Sequence, residues 1–259
     1  MSVCQTLANT LNIAPIYYKK FDKLINYSLG LKLQERLYQL RKNSIKNQDS
    51  TLPSLNNNLL LLLEHPPTFT EGKRQKNNDI DVENKVKSLG ADYYLTSRGG
   101  QTTYHGPGQL VGYPIFYLKD YKLSTRCYVK KIETLLCNIC SELSLKPELN
   151  EHTGVWLGKN KVAAIGILIR QYITNHGFAL NINNDLNWYN NIIPCGILDK
   201  DRGVTNLEIE LNRKIIVEDI LPLILKHVSL SFTGVENSLV SLDKYHPELN
   251  QLIDSWSLE

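Results

Sequence analysis

Cys195 lies in the segment NNIIPCGI, between a proline and a glycine, where no amphipathic pattern claims it. Buried structural cysteines usually sit in regular elements as small hydrophobes. This position reads instead as a thiol on a loop, its direction fixed by Pro194 and Gly196. A thiol of ordinary pKa, about 8.5, is only a few per cent thiolate near neutrality, so a nucleophilic role requires a cation or a base beside it. Lys161, His105 and His176 are the candidates. Lys161 opens the run KVAAIGILIR. Pointing inward among such small apolar neighbours, its ammonium would be poorly solvated and ready to give up its proton; pointing outward, it is an ordinary solvated lysine.

The stretch from Arg98 to Ile115, RGGQTTYHGPGQLVGYPI, holds five glycines and two prolines. Gly99–Gly100 and Gly106–Pro107–Gly108 permit backbone conformations closed to other residues and let main chain approach a ligand closely. Tight turns between strands are the plain alternative. Arg98, Tyr104 and His105 among those glycines favour a binding wall, because polar groups on constrained loops are where binding residues concentrate. The spacing is not that of a Walker phosphate loop.

The remaining candidates carry no chemistry. Cys137 and Cys140 form a C-x-x-C, but both fit the apolar side of a helix and no second ligand pair has structural-zinc spacing. The six histidines show no H-E-x-x-H and no close pair, so no metal site is expected. Five cysteines in a chain of this size argue for a reducing compartment without disulfides.

These side chains need elements to hold them. Phe21, Leu24, Ile25, Leu29, Leu33, Leu37 and Leu40 recur at helical spacing and predict a helix over 21–40. The polar stretch 43–58 predicts an exposed insertion. LLLLL at 59–63 predicts a strand ending at Glu64–His65 and broken by Pro66–Pro67. Ser124 or Thr125 can cap a helix with Val129, Ile132, Leu136, Ile139, Cys140 and Leu143 on one face. Strands follow at 154–157, 161–170 and 178–182, the first two joined by a turn at 158–160. A last helical pattern runs through Val217, Ile220, Leu221, Ile224 and Val228. The expected architecture is a single α+β domain with a mixed central sheet flanked by helices. Its parts are an N-terminal segment over 1–20, poor in acidic residues and a candidate targeting region, a catalytic domain over 21–235 and a C-terminal segment over 236–259.

A net charge of +3 is too mild for a dedicated nucleic-acid binder, and no apolar run approaches the roughly 20 residues of a membrane span. Neither partner is expected. Short basic clusters at Lys19–Lys20, Arg41–Lys42, Lys73–Arg74 and Lys130–Lys131 are solvated surface or a docking face for an acidic partner.

Five ordered segments, LLLEHPPTFTEGKR, RGGQTTYHGPGQLVGYPI, GVWLGKNKVAAIGI, HGFALNIN and IIPCGI, resemble the octanoyltransferases of lipoate biosynthesis, which share the fold of the biotin and lipoate protein ligases. The resemblance implies an acyltransferase that moves an octanoyl group from octanoyl-acyl carrier protein to a lysine of lipoyl domains, namely those of 2-oxoacid dehydrogenase complexes and of the glycine cleavage H protein. It implies no cofactor. It makes Cys195 the residue acylated as a thioester and Lys161 the residue that lowers its pKa. It assigns the acyl and pantetheine pocket to Arg98, Gly99, Gly100, Gln101, Thr102, Thr103, Tyr104 and His105, with Ala164, Ile165, Gly166, Gly177, Phe178 and Ala179. Glu71 stands where the family has an apolar residue, and Asn206 where serine is usual. The insertion over 43–58 is longer than compact bacterial members need and favours a mitochondrial enzyme over a bacterial, cytoplasmic one. The rivals are an ATP-dependent ligase on the same fold, a lipoyl amidotransferase, and a non-catalytic carrier-binding paralogue.

Overall fold

A computed structural model of the chain describes residues 15–46, 55–74, 80–192 and 202–258. The five leucines form β2 (Leu59–Leu63), buried along its whole length. A strand apolar at every position must be covered on both faces, and β2 lies inside the large sheet. β1 (Ile16–Lys20) pairs parallel to it on one side and β6 (Gln109–Ile115) antiparallel on the other. The sheet continues antiparallel through β10 (Ile173–Asn181) and β9 (Asn160–Arg170) to the short β8 (Val155–Leu157) and β7 (Pro147–Glu148). At the opposite edge β12 (Leu239–Ser241) pairs parallel to β1. β11 (Gly203–Val204) adds a parallel pair beside Asn160 and Lys161. A smaller sheet has the order β4 (Asp92–Leu95), β3 (Thr68–Glu71), β5 (Thr103–His105).

Helices cover both faces of the large sheet. α3 (Thr125–Glu142) and α5 (Val217–Thr233) bury Ile132, Leu136, Ile139, Ile220 and Ile224 against Leu60, Leu62, Leu110 and Leu180. On the other face α1 (Tyr27–Lys46) buries Leu33, Leu37 and Leu40 against Leu59, Leu61, Leu63 and Val111. Each such side chain contributes about 1.5–3 kcal/mol of burial. α6 (Leu242–Tyr245) and α7 (Pro247–Trp256) extend that layer through Leu242, Leu249 and Ile253. α2 (Ile80–Ser88) and a 3-10 helix (Leu186–Asn191) pack on the smaller sheet, while α4 (Leu207–Leu211) follows β11.

Three details depart from the sequence reading. The first helix begins at Tyr27, because Phe21 and Ile25 donate their backbone N–H groups to Leu62 and Glu64 and so extend β2 instead of coiling. Of the expected insertion over 43–58, residues 47–54 lie outside the described residues; 43–46 continue the helix, and Leu55 and Asn58 are buried. Asn58 is turned inward by Arg41, Asp120 and Tyr121, a polar cluster that no hydropathy pattern reveals. β1 and β12 lie in the central sheet, although both fall in segments read as flanking the catalytic domain. Cys137 and Cys140 are free and lie on α3, where burial pushes their thiols up to about 11 and about 12.

Candidate active site

A cavity of ≈ 320 Å³ opens between the large sheet and the glycine-rich loop. Its floor is the face of the sheet that carries Ala164, Gly166, Gly177 and Ala179, with Gly177 beside Gly166 and Ala179 beside Ala164 across the β10–β9 pair. Small residues at these four positions leave a trough where neighbouring strands bear large side chains. The space at Gly177 is also needed by the sheet itself, since a Cβ there would stand 2.2 Å from the Gly112 carbonyl oxygen.

The roof is the loop from Arg98 to Gln101, pinned to β9 where the Gly99 N–H donates to the Ile167 carbonyl at 2.9 Å. The buried Arg98 guanidinium donates to the Thr70 carbonyl (2.6 Å), Thr70 Oγ1 (2.8 Å), the Gln101 carbonyl (2.9 Å) and the Gly99 carbonyl (3.0 Å). All four acceptors are neutral. A buried cation whose hydrogen-bond acceptors here are neutral dipoles projects its field into the space beside it.

Lys161 closes one end of the cavity. It is 4% exposed, its Nζ donates to the Thr153 carbonyl at 3.0 Å, and it lies 5.0 Å from the centre of the Trp156 ring. Gly154 makes this seat possible. It has φ +129°, and a Cβ would come within 2.5 Å of the Ala163 carbonyl oxygen and 3.3 Å of Lys161 Cε. Next to it β8 and β9 shift register between Val155 and Trp156, a bulge that re-aims the strand around the lysine.

The other end is aromatic and polar. Tyr27, Tyr113, His105 and His176 line it, with His65 behind. His65 Nδ1 faces the Ile25 carbonyl, which can only accept, so that nitrogen carries the proton and Nε2 accepts from the Tyr113 hydroxyl at 2.7 Å. Burial holds His65 down at about 4 and His176 at about 3, the latter helped by Arg98 and Arg170. His105 is held well below the usual histidine range by burial, with His65 adding to it. Burial pushes the Tyr27 hydroxyl up to about 12, against the pull of Arg98, and drives Tyr113 well above the tyrosine range. At neutral pH these five rings are uncharged.

The structure thus brings Lys161, Arg98, Gly99, Gly100, Gln101, Thr103, His105, Ala164, Ile165, Gly166, Gly177, Phe178 and Ala179 to one cavity. Thr102 and Tyr104 are not on its wall. Thr103 and His105 face the cavity from β5, and the pleat sends Tyr104 to the opposite side, where it stacks on Trp188 at 5.6 Å and packs on Phe69. Cys195 lies outside the described residues. Tyr27, Tyr113, Val111 and Val129 also line the cavity and carried no mark in the sequence. Tyr113 does sit inside the glycine-rich stretch, two places beyond Val111 on one face of β6. Glu71 is buried and accepts a short bond from the Tyr93 hydroxyl. Asn206 caps α4 through a 2.9 Å bond from the Ile209 N–H, a task serine performs equally well. Of the basic clusters, Lys73 and Arg74 are exposed and Arg74 reaches the cavity wall. Lys131 is half-buried and donates to the Ser231 carbonyl, so it is not free to meet a partner.

Residues 26–229 match the lipoyl protein ligase A/B catalytic domain, and the chain belongs to that family. The same sheet-and-helix plan occurs in the lipoate protein ligase Ta0514 of Thermoplasma acidophilum, with TM-score 0.65 over 95% of this chain and all of that one at 15% identity. Within the family the chain falls among the octanoyltransferases, which are acyltransferases. It is 43% identical over 208 residues to the mitochondrial octanoyl-[acyl-carrier-protein]:protein N-octanoyltransferase LIPT2 of Danio rerio, covering 80% of this chain and 88% of that protein. It is 41% identical to the octanoyltransferase of Clostridium kluyveri, covering 74% and 78%.

Proposed function

We propose that this protein transfers an octanoyl group from octanoyl-acyl carrier protein to the ε-amine of a lysine on lipoyl domains, those of 2-oxoacid dehydrogenase complexes and the glycine cleavage H protein. The transfer passes through a thioester on Cys195. The observation that carries this reading is the buried Lys161 ammonium at the end of a trough floored by glycine and alanine. A thin acyl chain fits such a floor, and an amine out of bulk water suits proton transfer. Chain reach allows the thiol to meet it. Cys195 is seven residues before Arg202, a span of at most about 25 Å when extended, and Val204 pairs directly beside Lys161.

In the first half-reaction the Cys195 thiolate, steadied by the Lys161 ammonium, attacks the thioester carbonyl. The carbon–sulfur bond to the carrier breaks, and the departing carrier thiolate takes a proton from the Lys161 ammonium and leaves as the thiol, so that Lys161 is left neutral. In the second, the acceptor amine attacks the acyl-enzyme, an amide forms and the Cys195 sulfur departs. The proton lost by the amine passes to the lysine in its neutral form. No cofactor takes part. Because the two half-reactions share one acylated intermediate, the kinetics are ping-pong. The exposed Lys73 and Arg74 beside the cavity suit an acidic carrier. The mitochondrion is the expected compartment, as the names of the Danio rerio and Drosophila melanogaster relatives state for those proteins.

Intact-protein mass spectrometry after exposure to octanoyl-acyl carrier protein, without nucleotide, tests the reading. Wild type is expected to gain one octanoyl group, Cys195→Ala none, and Lys161→Ala to gain it far more slowly. An absolute need for ATP would mean a ligase instead.

A further inference from the structure

Between Arg98 at the roof of the cavity and Lys161 at its end runs a buried line of hydrogen bonds that touches the cavity wall in between only at His105. Arg98 Nη2 donates to Thr70 Oγ1 at 2.8 Å, and that hydroxyl lies 3.4 Å from His105 Nε2. His105 Nδ1 meets Gln109 Oε1 at 2.7 Å. Gln109 Nε2 lies 2.9 Å from Asn181 Oδ1, 3.1 Å from the Tyr104 carbonyl and 3.1 Å from the Tyr189 hydroxyl. Asn181 Nδ2 donates to the Thr205 carbonyl at 2.9 Å, and the Thr205 N–H donates to the carbonyl of Lys161 at 3.0 Å.

Gln109 is the hub of this line. It is 1% exposed and forms no part of the cavity wall, yet its one amide ties together four separate segments: β5 through His105, the end of β10 through Asn181, the 3-10 helix through Tyr189, and the start of its own strand. The polarity is specific to an amide. The Gln109 oxygen can only accept, so His105 carries its proton on Nδ1, and the Nε2 of that ring is left as an acceptor for Thr70. The same amide then donates on its other branch, which a carboxylate or an apolar side chain of this size cannot do.

The hub is held as firmly as what it holds. Gly108, at φ +80°, precedes it, and its carbonyl accepts from the N–H groups of both Ile182 and Asn183 at 3.1 Å. A Cβ at Gly108 would stand 2.4 Å from Asn183 Oδ1, so the turn is docked directly on the end of β10. The side chain of Gln109 therefore leaves the backbone from a fixed point.

We infer that Gln109 is a positioning residue of the transfer reaction. It fixes the imidazole of His105 in one tautomer and one orientation on the cavity wall. Through Asn181 and Thr205 it fixes the strand end that carries Lys161, and through Tyr189 it fixes the 3-10 helix whose last residue, Asn191, stands four positions before Cys195. The inference rests on the Lys161–Cys195 reading above for what those positions accomplish. It predicts that the chemical step suffers when the amide is lost, while the donor, which does not touch Gln109, still binds. Catalytic groups displaced by an ångström lose rate steeply.

The test is single-turnover octanoylation from octanoyl-acyl carrier protein, with steady-state transfer to a lipoyl domain alongside. Gln109→Met keeps the length and removes every polar contact; Gln109→Glu keeps the acceptor for His105 and removes the donors. Tyr189→Phe takes away one hydroxyl from the same node and leaves the amide in place, which keeps the question answerable if a Gln109 variant fails to fold. The expected result is an acylation rate constant at least tenfold lower in both Gln109 variants and threefold or more lower in Tyr189→Phe. Donor KM stays within threefold of wild type in all three, and melting shows a folded protein. Folded Gln109 variants with wild-type acylation rates, or losses confined to KM, would overturn the inference. Failure of the underlying reading looks different: wild type itself would then form no adduct on Cys195.

Discussion

The Tyr113 hydroxyl has a single proton and spends it on His65 Nε2, so the two buried groups satisfy each other. Replacing Tyr113 with phenylalanine leaves that nitrogen without a donor in a place water does not reach. A buried polar group stripped of its partner costs about 1–3 kcal/mol, and Tyr113→Phe is expected to lower the unfolding free energy by about 2 kcal/mol in urea titration. Phenylalanine keeps the ring and its packing, so an unchanged midpoint would mean that water, not Tyr113, satisfies His65. The contrast with Lys161 shows what a sequence reveals at this scale. An amine among small apolar residues, and polar side chains among glycines, are anomalies of local composition and could be read directly. Tyr27 and Tyr113 are ordinary members of their elements, and His176 could be named as a candidate base but not placed. His176 acquires its position from a left-handed backbone, φ +55°, inside a strand, and nothing in its neighbours along the chain announces that.

Elements decide whether such side chains meet. β9 delivers both the trough and Lys161, but the lysine reaches the cavity only because Gly154 lets the preceding segment fold over it. Gly154→Ala places a Cβ against the Ala163 carbonyl at a backbone angle that L-residues rarely adopt, a strain of order 1–3 kcal/mol. The expected outcome is a lower melting temperature together with slower acylation, since relief of the clash must move either β9 or the carbonyl that holds the Lys161 ammonium. The Asn206 cap supplies a control in a neighbouring element. Asn206→Ser is expected to leave stability within about 0.5 kcal/mol and Asn206→Ala to cost about 1 kcal/mol, both by thermal melting; a larger loss in the serine variant would show that the bond from Asn206 Nδ2 to the Asn184 carbonyl matters more than the cap. Strands and helices with unmixed periodicity, β2, β9, α3 and α5, were legible from the sequence. The start of α1 was not, because Phe21 and Ile25 have helical spacing but find better backbone partners at the end of β2. That choice is made by tertiary pairing, which local spacing does not encode.

Across the whole molecule, one face of the large sheet carries an aliphatic core and the other changes, over a few residues, from the Leu-rich layer under α1 to a cluster of buried rings. His65, His105 and His176 all belong to that cluster, and all are held below the ordinary histidine pKa of 6.5, first by burial. In the unfolded chain they titrate near 6.5. Between that value and the native one, about 4 for His65 and about 3 for His176, the unfolded state binds more protons than the native state. Stability is therefore complete above pH 6.5 and falls as the pH drops, by up to about 1.4 kcal/mol per pH unit for each histidine that stays neutral. Urea midpoints measured at pH 7.5, 6.0 and 5.0 are expected to decline with increasing steepness. His65→Gln should remove about a third of that slope, because a glutamine can donate to the Ile25 carbonyl and accept from Tyr113 without titrating. If the variant and the wild type lose stability in parallel, His65 is protonated in the folded protein and the neutral character of this end of the cavity is wrong. A flat wild-type profile down to pH 5 would say the same of all three rings, and with it that the cavity end opposite Lys161 is open to water.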